Sequence, residues 1–365
     1  MKLAVIAGEA SGDLHASEVV RELKELDPAL ETFGIGGDLL AAEGTRLLHH
    51  AKEMGIVGLF NVLRNLRMFR RIFNDTVDAI ARERPDAVLL VDYPDFNLRL
   101  AKRCRKLGIR VIYYISPQVW AWRQGRVNDI ARIVDRMIVL FPFEEEFYRK
   151  HDVAVTYVGH PLIDELAGIA RGERPPSSPL SVALLPGSRR GEVKSLLPPM
   201  LDAVHELGDV DAFVVKAPTI ASAQLLDIMK ERGQFVRIVP HDGGAAVASA
   251  DVALSSSGTA TLECAVIGTP VIVMYLLTRV THWLARRLVK VPHFSLVNII
   301  AGKKVVPELV QHDVNGKRIA DEVRRMARPE EHARLREELA EVRARLGGAG
   351  ASRRAAQAIV AELNG

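Results

Sequence analysis

Cysteine is scarce in this chain. Cys104 and Cys264 are the only two in 365 residues, and neither stands in a spaced motif. That excludes a disulfide framework and a cysteine-ligated zinc site, and it suits a reducing compartment. Long hydrophobic runs are missing too. No window reaches the roughly 18 charge-free apolar residues that a membrane span needs. The longest such stretch in the apolar C-terminal half, residues 264–278, is broken by Gly268 and Pro270. The first apolar run, residues 3–7, is too short for a signal peptide and leads straight into Glu9 and Asp13. Charge of one sign is also lacking, since 49 Lys and Arg stand against 45 Asp and Glu. No group of His, Cys, Asp and Glu has metal-ligand spacing, so no metal is expected. The Gly-x-Gly-x-x-Gly fingerprint, the Gly-x-Ser-x-Gly elbow and the kinase motifs are all absent.

What is present is apolar bulk and an α/β rhythm. With 48% hydrophobic residues, a chain of this length can bury two cores. Residues 3–7, 87–91, 110–115 and 137–141 read as short buried strands alternating with helical patterns, the first helix spanning about residues 14–26. Residues 170–179 are rich in Pro, Ser and charge and read as a linker. The rhythm then restarts with strand candidates at 181–185, 212–215, 252–254 and 271–274, and a helix from about Glu192. Gly347, Gly348 and Gly350 divide the charged last forty residues into two helices. The expected organisation is an α/β fold of two Rossmann-like domains with a cleft between them. Its parts are an N-terminal domain over 1–168, a linker over 169–180, a second domain over 181–345, and a terminal helix over 346–365 that packs on the first domain or stays with the second.

Open parallel sheets bind ligands beyond the carboxyl ends of their strands, so the loops there are where chemistry is expected. Gly8-Glu9-Ala10-Ser11-Gly12-Asp13 follows the first strand. Either its small and polar groups meet a ligand at the helix start, or Ser11 or Asp13 simply caps that helix. Asp92-Tyr93-Pro94-Asp95-Phe96-Asn97 places two carboxylates at a strand end. Asp92 suits a general base, whereas Asp95 reads equally as a helix cap. Pro186-Gly187-Ser188-Arg189-Arg190-Gly191-Glu192 joins a turn, arginines and a helix start, which together suit a diphosphate. Ser255-Ser256-Ser257-Gly258-Thr259 opens another helix, on which Glu263 either accepts ribose hydroxyls or is a solvated residue. Two phosphate cradles in one domain point to a nucleotide diphosphate bound by Gly187, Ser188, Arg189, Ser257, Gly258, Thr259 and Glu263. Glu9, Ser11, Asp95, Trp122 and His160 are candidate contacts to a second substrate. For the aromatic run at Trp120-Ala121-Trp122, core packing serves as well as sugar stacking, and His160 reads equally as a hinge residue.

Several of these segments, in order along residues 7–302, resemble the lipid-A-disaccharide synthase family. They are Ala7 to Asp13, Met54-Gly55-Ile56-Val57, Asp92 to Asn97, Ser116 to Arg123, Leu184 to Arg189, Ser257-Gly258-Thr259 and Ser295-Leu296-Val297-Asn298. The resemblance implies a GT-B glycosyltransferase that works without a metal ion or other cofactor. It would join UDP-2,3-diacylglucosamine to 2,3-diacylglucosamine 1-phosphate (lipid X) through a β-1,6 bond and release UDP. It further implies that Asp92 is the catalytic carboxylate, that Arg189 and Asn298 matter for activity, and that Ser257, Thr259 and Glu263 belong to the UDP stretch. Many members carry an acidic residue where this chain has Gly58.

Inverting displacement is the expected mechanism, with Asp92 taking the acceptor proton and Arg189 meeting the charge on departing UDP. Basic residues interleaved with apolar ones over residues 55–73 suit an anionic lipid surface. Phe60, Arg64, Arg67, Phe69 and Arg71 are the candidate membrane contacts, and a second basic run lies at residues 283–290. The same stretch reads alternatively as a buried amphipathic helix with a solvated basic face. The expected location is therefore cytoplasmic, peripheral on the inner face of the inner membrane. Expected partners are acylated glucosamines and UDP, with a homo-oligomer left open and no nucleic acid. Two rivals remain: a nucleotide-sugar epimerase of the same fold, and a non-catalytic carrier that binds UDP without turnover.

Overall fold

The computed structural model describes residues 1–55, 66–122, 124–171, 176, 179–276 and 293–365. They form two compact units. The first comprises Met1–Pro161 with Gly347–Gly365, and the second Leu162–Leu346.

Seven strands build the first unit: β1 (Lys2–Ala7), β2 (Glu31–Gly36), β3 (Arg46–His50), β4 (Ala87–Val91), β5 (Arg110–Tyr114), β6 (Arg136–Val139) and β7 (Val155–Tyr157). Eight helices connect them: α1 (Ala10–Leu26), α2 (Asp38–Ala42), α3 (Ala51–Gly55), α4 (Leu66–Glu83), α5 (Pro94–Lys106), α6 (Val119–Trp122), α7 (Val127–Ile133) and α8 (Pro142–Arg149). The sheet runs in the order β3-β2-β1-β4-β5-β6-β7, with every pairing parallel. A parallel sheet needs cover on both faces, and the sequence supplies it by writing strands as unbroken apolar runs. All five residues of β4 are buried. Val88 and Leu90 join the core of Ile80, Leu100 and Ile130, while Ala87, Leu89 and Val91 face Val19, Val20 and Leu23 of α1 on the other side. The period of two along a strand makes this division automatic.

The second unit repeats the plan with β8 (Leu180–Leu185), β9 (Val210–Lys216), β10 (Arg237–Pro240), β11 (Val252–Ser256), β12 (Val271–Tyr275) and β13 (Glu308–Val310). Its helices are α9 (Leu162–Glu165), α10 (Arg190–Leu207), α11 (Ser222–Arg232), α12 (Ala245–Ser249), α13 (Thr259–Ile267), α14 (Leu296–Ala301), α15 (Gly316–Met326) and α16 (Pro329–Arg345). The order is β10-β9-β8-β11-β12-β13, again parallel.

The last helix, α17 (Ala351–Asn364), belongs to the first unit. Its Ala355, Ala356 and Ile359 complete the core face shared with α1, and Arg354 donates to the Val158 carbonyl at 2.7 Å. The chain turns into it through Gly347 and Gly350, both at positive φ, where a side chain would be strained.

The second unit starts earlier than the composition of residues 170–179 suggests. Leu162, Ile163 and Leu166 are buried within it, and the Arg171 guanidinium sits wholly buried against Asp251 at 2.6 Å while its Nε donates to the Ala250 carbonyl. Ser181 N–H completes the Asp251 carboxylate. A charge removed from water needs such partners, so the chain around Arg171 is anchored although its composition reads as linker.

Candidate active site

In each sheet the chain first winds outward one way and then returns to build the other half. The reversal falls between β1 and β4 in the first unit and between β8 and β11 in the second. Ligands of open α/β sheets bind at such switch points, beyond the carboxyl ends of the strands. The four loops singled out in the sequence follow these four strands.

At the first switch point β4 ends in an unusual turn. Asp92 and Tyr93 both adopt left-handed backbone, with φ of 47° and 45°. Each such non-glycine residue costs about 1–3 kcal/mol unless its surroundings hold it. Here they do: the Asp92 carbonyl accepts from Tyr113 Oη at 2.5 Å and Asn97 Nδ2 at 2.8 Å. The Tyr93 ring lies over Gly8, where a Cβ would meet it at 2.7 Å. The turn therefore presents the half-buried Asp92 carboxylate beside the β1 loop. Burial pushes its carboxyl above the ordinary range, and the nearby Glu9 charge pushes the same way. A carboxylate raised in this manner is suited to accept a proton near neutral pH.

The neighbours divide by role. Asp13 is buried and caps not its own helix but α2, accepting from Gly37 N at 2.6 Å and from Leu39 and Leu40 N at 3.1 Å each. Glu9 and Ser11 are exposed at the start of α1, which no side chain caps. Asp95 does not cap α5, whose N-cap is Tyr93; it is exposed and pairs with Arg126 at 3.5 Å. His160 is buried against Phe141, with ring centroids 5.3 Å apart. Burial lowers its pKa to about 3, so it stays neutral and carries no charge to a substrate. Trp122 ends α6, and its side chain lies outside the description.

A buried acid here had no signal in the sequence. Glu144, on α8, accepts from Ser116 Oγ at 2.6 Å, Trp120 Nε1 at 3.1 Å and Phe141 N at 3.2 Å. Burial pushes it up to about 7 against these bonds. It ties the Ser116–Trp120 segment to the ends of β5 and β6. Nothing in the pattern Phe141-Pro142-Phe143-Glu144 distinguishes it from a surface residue of a helix start.

At the second switch point the chemistry is different. Gly187 has φ of 114°, and a Cβ there would meet Glu192 Oε2 at 2.5 Å and Ser256 Oγ at 3.2 Å. The loops after β8 and β11 thus touch at a position only glycine fits. Helix α10 begins at Arg190 and α13 at Thr259, and no side chain caps either start. Ser188, Arg189, Gly258 and Thr259 are exposed around them. The Ser257 N–H is bonded to the Met274 carbonyl at 3.0 Å and is not available to a ligand. Arg189 is 82% exposed and pairs with Glu192 at 2.8 Å. Such an exposed pair contributes about 0–1 kcal/mol and yields readily to a diphosphate. Glu263, far from being a solvated residue, is buried. Its Oε2 meets His241 Nε2 at 3.1 Å and its Oε1 has no hydrogen-bond partner.

Asn298, which the resemblance implies matters for activity, is fully buried and bonded at every polar atom of its side chain. Its Oδ1 accepts from Val305 N at 2.8 Å and Val306 N at 2.9 Å. Its Nδ2 donates to the Val306 carbonyl at 3.0 Å and to Glu308 Oε1 at 2.9 Å. An amide has two donor hydrogens and two acceptor lone pairs, so none is left for a substrate. Asn298 ties down the turn after α14.

Of the candidate membrane residues, Phe60 and Arg64 lie outside the described residues, as does the second basic run, residues 283–290. Phe69 is partly buried against the core of the first unit. Leu66, half exposed, stands beside exposed Arg67, Arg70 and Arg71, the last paired with Asp75 at 3.6 Å. Among the described residues no helix is long and apolar enough to cross a membrane. Cys104 and Cys264 are buried and unbonded, and burial raises the Cys104 thiol to about 12.

Comparison with known proteins gives this geometry its context. A family profile described as lipid-A-disaccharide synthetase matches residues 3–362. The lipid-A-disaccharide synthase of Myxococcus xanthus (strain DK1622) is 41% identical over 371 residues, covering 98% of this chain and 97% of that one. The enzyme of the same name from Geobacter sulfurreducens is 40% identical, covering 100% and 97%. Among solved structures, MurG of Acinetobacter baumannii superposes with a TM-score of 0.60 at 14% identity over 99% of both chains. UDP-GlcNAc 2-epimerase of Neisseria meningitidis, bound to UDP-GlcNAc, gives 0.60 at 12% identity over 100% of both. The architecture is therefore the one used by GT-B glycosyltransferases and by sugar-nucleotide epimerases alike.

Proposed function

Because this chain belongs to the lipid-A-disaccharide synthase family, a family of disaccharide-forming glycosyltransferases with UDP-sugar donors, we propose a specific displacement and a role for each switch point in it. The acceptor is 2,3-diacylglucosamine 1-phosphate and the donor UDP-2,3-diacylglucosamine. The acceptor 6-hydroxyl attacks the donor anomeric carbon from the face opposite UDP, and Asp92 takes its proton as the new bond forms. The bond from the anomeric carbon to the diphosphate oxygen breaks, its electron pair leaving with UDP, and the configuration inverts to β.

The transition state has oxocarbenium character, with negative charge growing on the diphosphate. Arg189 and the uncapped starts of α10 and α13 meet that charge, a field already oriented before reaction. In exchanging Glu192 for the diphosphate, Arg189 trades a weak exposed pair for charge-assisted bonds worth about 1.5–3 kcal/mol each. No metal ion has a part in this scheme, so turnover should survive a chelator.

The observation that carries the base assignment is the Asp92 turn. Two side chains hold its strained backbone, and its carboxyl is raised by burial and by the nearby Glu9 charge. Both substrates are acylated, and the half-exposed Leu66 with Arg67, Arg70 and Arg71 supports contact with an anionic membrane from the cytoplasmic side.

The test is to supply both acylated substrates and follow UDP and the disaccharide 1-phosphate by mass spectrometry, with and without EDTA. Equal amounts of both products are expected in each arm. Conversion of UDP-N-acetylglucosamine to a 2-epimer without acceptor would overturn the reading in favour of an epimerase.

A further inference from the structure

The loop after β5 carries a strained residue and a buried acid that have no part in the scheme above. Val91 of β4 pairs with Tyr114 of β5, so the next residues, Asp92 and Ile115, leave the sheet side by side. Both turn into left-handed backbone, with φ of 47° and 64°. For a β-branched residue that conformation is a genuine outlier, and it persists only where the surroundings hold it. On one side Ile115 is held by its own N–H, which donates to the Ile138 carbonyl of β6 at 3.1 Å. The following residues are held from α8.

Glu144 is the clamp. Its Oε1 accepts from the Ser116 hydroxyl at 2.6 Å and from the Trp120 indole N–H at 3.1 Å, which closes the two ends of the loop on one atom. Its Oε2 takes the Phe141 N–H at 3.2 Å and so ties the clamp to the end of β6. One turn along α8, Tyr148 Oη donates to the Pro117 carbonyl at 3.3 Å. The Trp120 ring meets Phe143 edge-on, with centroids 4.8 Å apart. Burying an acid costs stability even when it is bonded, and the strained isoleucine costs about 1–3 kcal/mol more. A loop that merely joined β5 to α7 would need neither. Strain held in place by a buried clamp fixes where something points.

What this loop points is Gln118. Between Val111 and Trp120 it is the only exposed residue, and Pro117 and Val119 on either side of it are buried. Neighbouring strands lie about 5 Å apart, and the three residues from Ile115 to Gln118 span at most about 10 Å. One substrate molecule can therefore meet both Gln118 and the Asp92 turn. The Gln118 amide both donates and accepts hydrogen bonds and carries no charge. That suits the hydroxyl and acyl carbonyl groups of an acylated amino sugar better than a phosphate.

We infer that Gln118 binds the acceptor, hydrogen-bonded to the sugar whose hydroxyl Asp92 deprotonates, and that Glu144 is the positioning residue that holds the Gln118 loop in place. This rests on the reading of Asp92 as the base and adds to it a contact and the clamp behind that contact. Neither residue touches the donor.

Steady-state kinetics of the full chain, with the donor saturating and the acceptor varied, test it alongside UDP titration. Gln118→Ala should raise the acceptor KM about three- to tenfold, the worth of a hydrogen bond or two. Its kcat and UDP affinity should stay within twofold, the pattern of binding lost equally from ground and transition states. Glu144→Ala should raise the acceptor KM at least as much, and adding Gln118→Ala to it should raise that KM less than twofold further. Glu144→Gln keeps an oxygen for Ser116 and Trp120 and should recover most of the affinity. Should Glu144→Ala not fold, Trp120→Phe takes its place in the same cycle, losing one bond to the clamp while keeping a ring against Phe143. An unchanged acceptor KM in Gln118→Ala would overturn the contact. Multiplying effects in the double variant would overturn the positioning role, as would a clamp variant that lowers the melting temperature and leaves the acceptor KM alone. Full activity in Asp92→Asn would instead overturn the base reading beneath the inference.

Discussion

The two switch points share a topology and differ in nearly everything else. At the β1/β4 point the backbone is strained at Asp92 and Tyr93, and the nearby charges, Glu9 and Asp92, are negative. At the β8/β11 point the strain falls on a glycine, and the loops offer Arg189, Arg190 and two uncapped helix starts. The sheet decides where a site stands, and the residues at the strand ends decide its sign. An acid raised by burial and a second carboxylate suits proton removal; a cationic, amide-lined turn suits a phosphate. Neither loop could serve in the other's place.

The sharpest way to break this comparison is Asp92→Asn. Loss of the proposed general base should lower kcat by about 10²–10⁴-fold while UDP affinity stays within twofold, since the groups proposed to bind the diphosphate lie in the other unit. A kcat within tenfold of wild type would remove Asp92 from the mechanism. The same variant should be more stable than wild type at neutral pH. The folded protein holds the Asp92 proton more tightly than the unfolded chain, so ionising it costs stability that returns as pH falls through the raised pKa. Thermal melts of both proteins from pH 4 to 8 should converge at the acid end. In kinetics, the acid limb of the kcat profile should lie above the ordinary carboxylate range and vanish in the variant.

Asn298→Ala should show the opposite profile. It strands the N–H groups of Val305 and Val306, each worth about 1–3 kcal/mol when buried and unpaired. The melting temperature should drop by roughly 5–15 °C, and turnover measured well below the new midpoint should fall far less than in Asp92→Asn. A stable but inactive variant would return Asn298 to the catalytic groups.

Glu144 offers a pH test confined to the first unit. Its carboxyl is pushed up to about 7 from 4.5, so its stabilising contribution is complete below about 4.5 and lost as pH rises past 7. The loss is on the order of 3 kcal/mol. Melting temperature should decline between pH 5 and 8, and Glu144→Gln should flatten that slope; an equal slope in the variant would place the titration elsewhere.

The paired glycines give a smaller contrast. Gly187→Ala should weaken UDP binding about tenfold, because the positive φ and the Glu192 contact both oppose a Cβ. Gly8→Ala should leave UDP binding alone and lower kcat by displacing Tyr93, with the Asp92 turn behind it. Exchanged phenotypes would reverse the two roles. The least effect is expected from Arg67→Glu combined with Arg71→Glu, which should reduce binding to anionic liposomes several-fold at low salt with little change in kcat on detergent-dispersed substrates. Equal liposome binding would remove α4 from the membrane reading.

Much of this was legible before any coordinates. Strands buried on both faces must be written as continuous apolar runs, so residues 87–91 declared β4 without ambiguity, and the α/β alternation fixed parallel sheets. The edge strands β3, β7, β10 and β13 are short and partly polar and carry too little apolar pattern to separate from loops, while β2, one place further in, breaks its buried run with Gly34 and Gly36. The composition of residues 170–179 signalled a linker because prolines and charges usually mean solvent, yet Arg171 is buried where Asp251 awaits it.

The amino-acid order by itself determined the two α/β units, the loops where chemistry collects and the family of the enzyme, because strand periodicity and local turn residues act over a few positions. Only the tertiary structure decided what each polar side chain does there. It turned Asp13 into the cap of a distant helix, Asn298 into a scaffold, His160 into a neutral core residue and Glu263 into a buried acid partnered by His241. Those roles depend on burial and on partners tens of residues away, and hydrogen bonding over such separations leaves no period in a sequence.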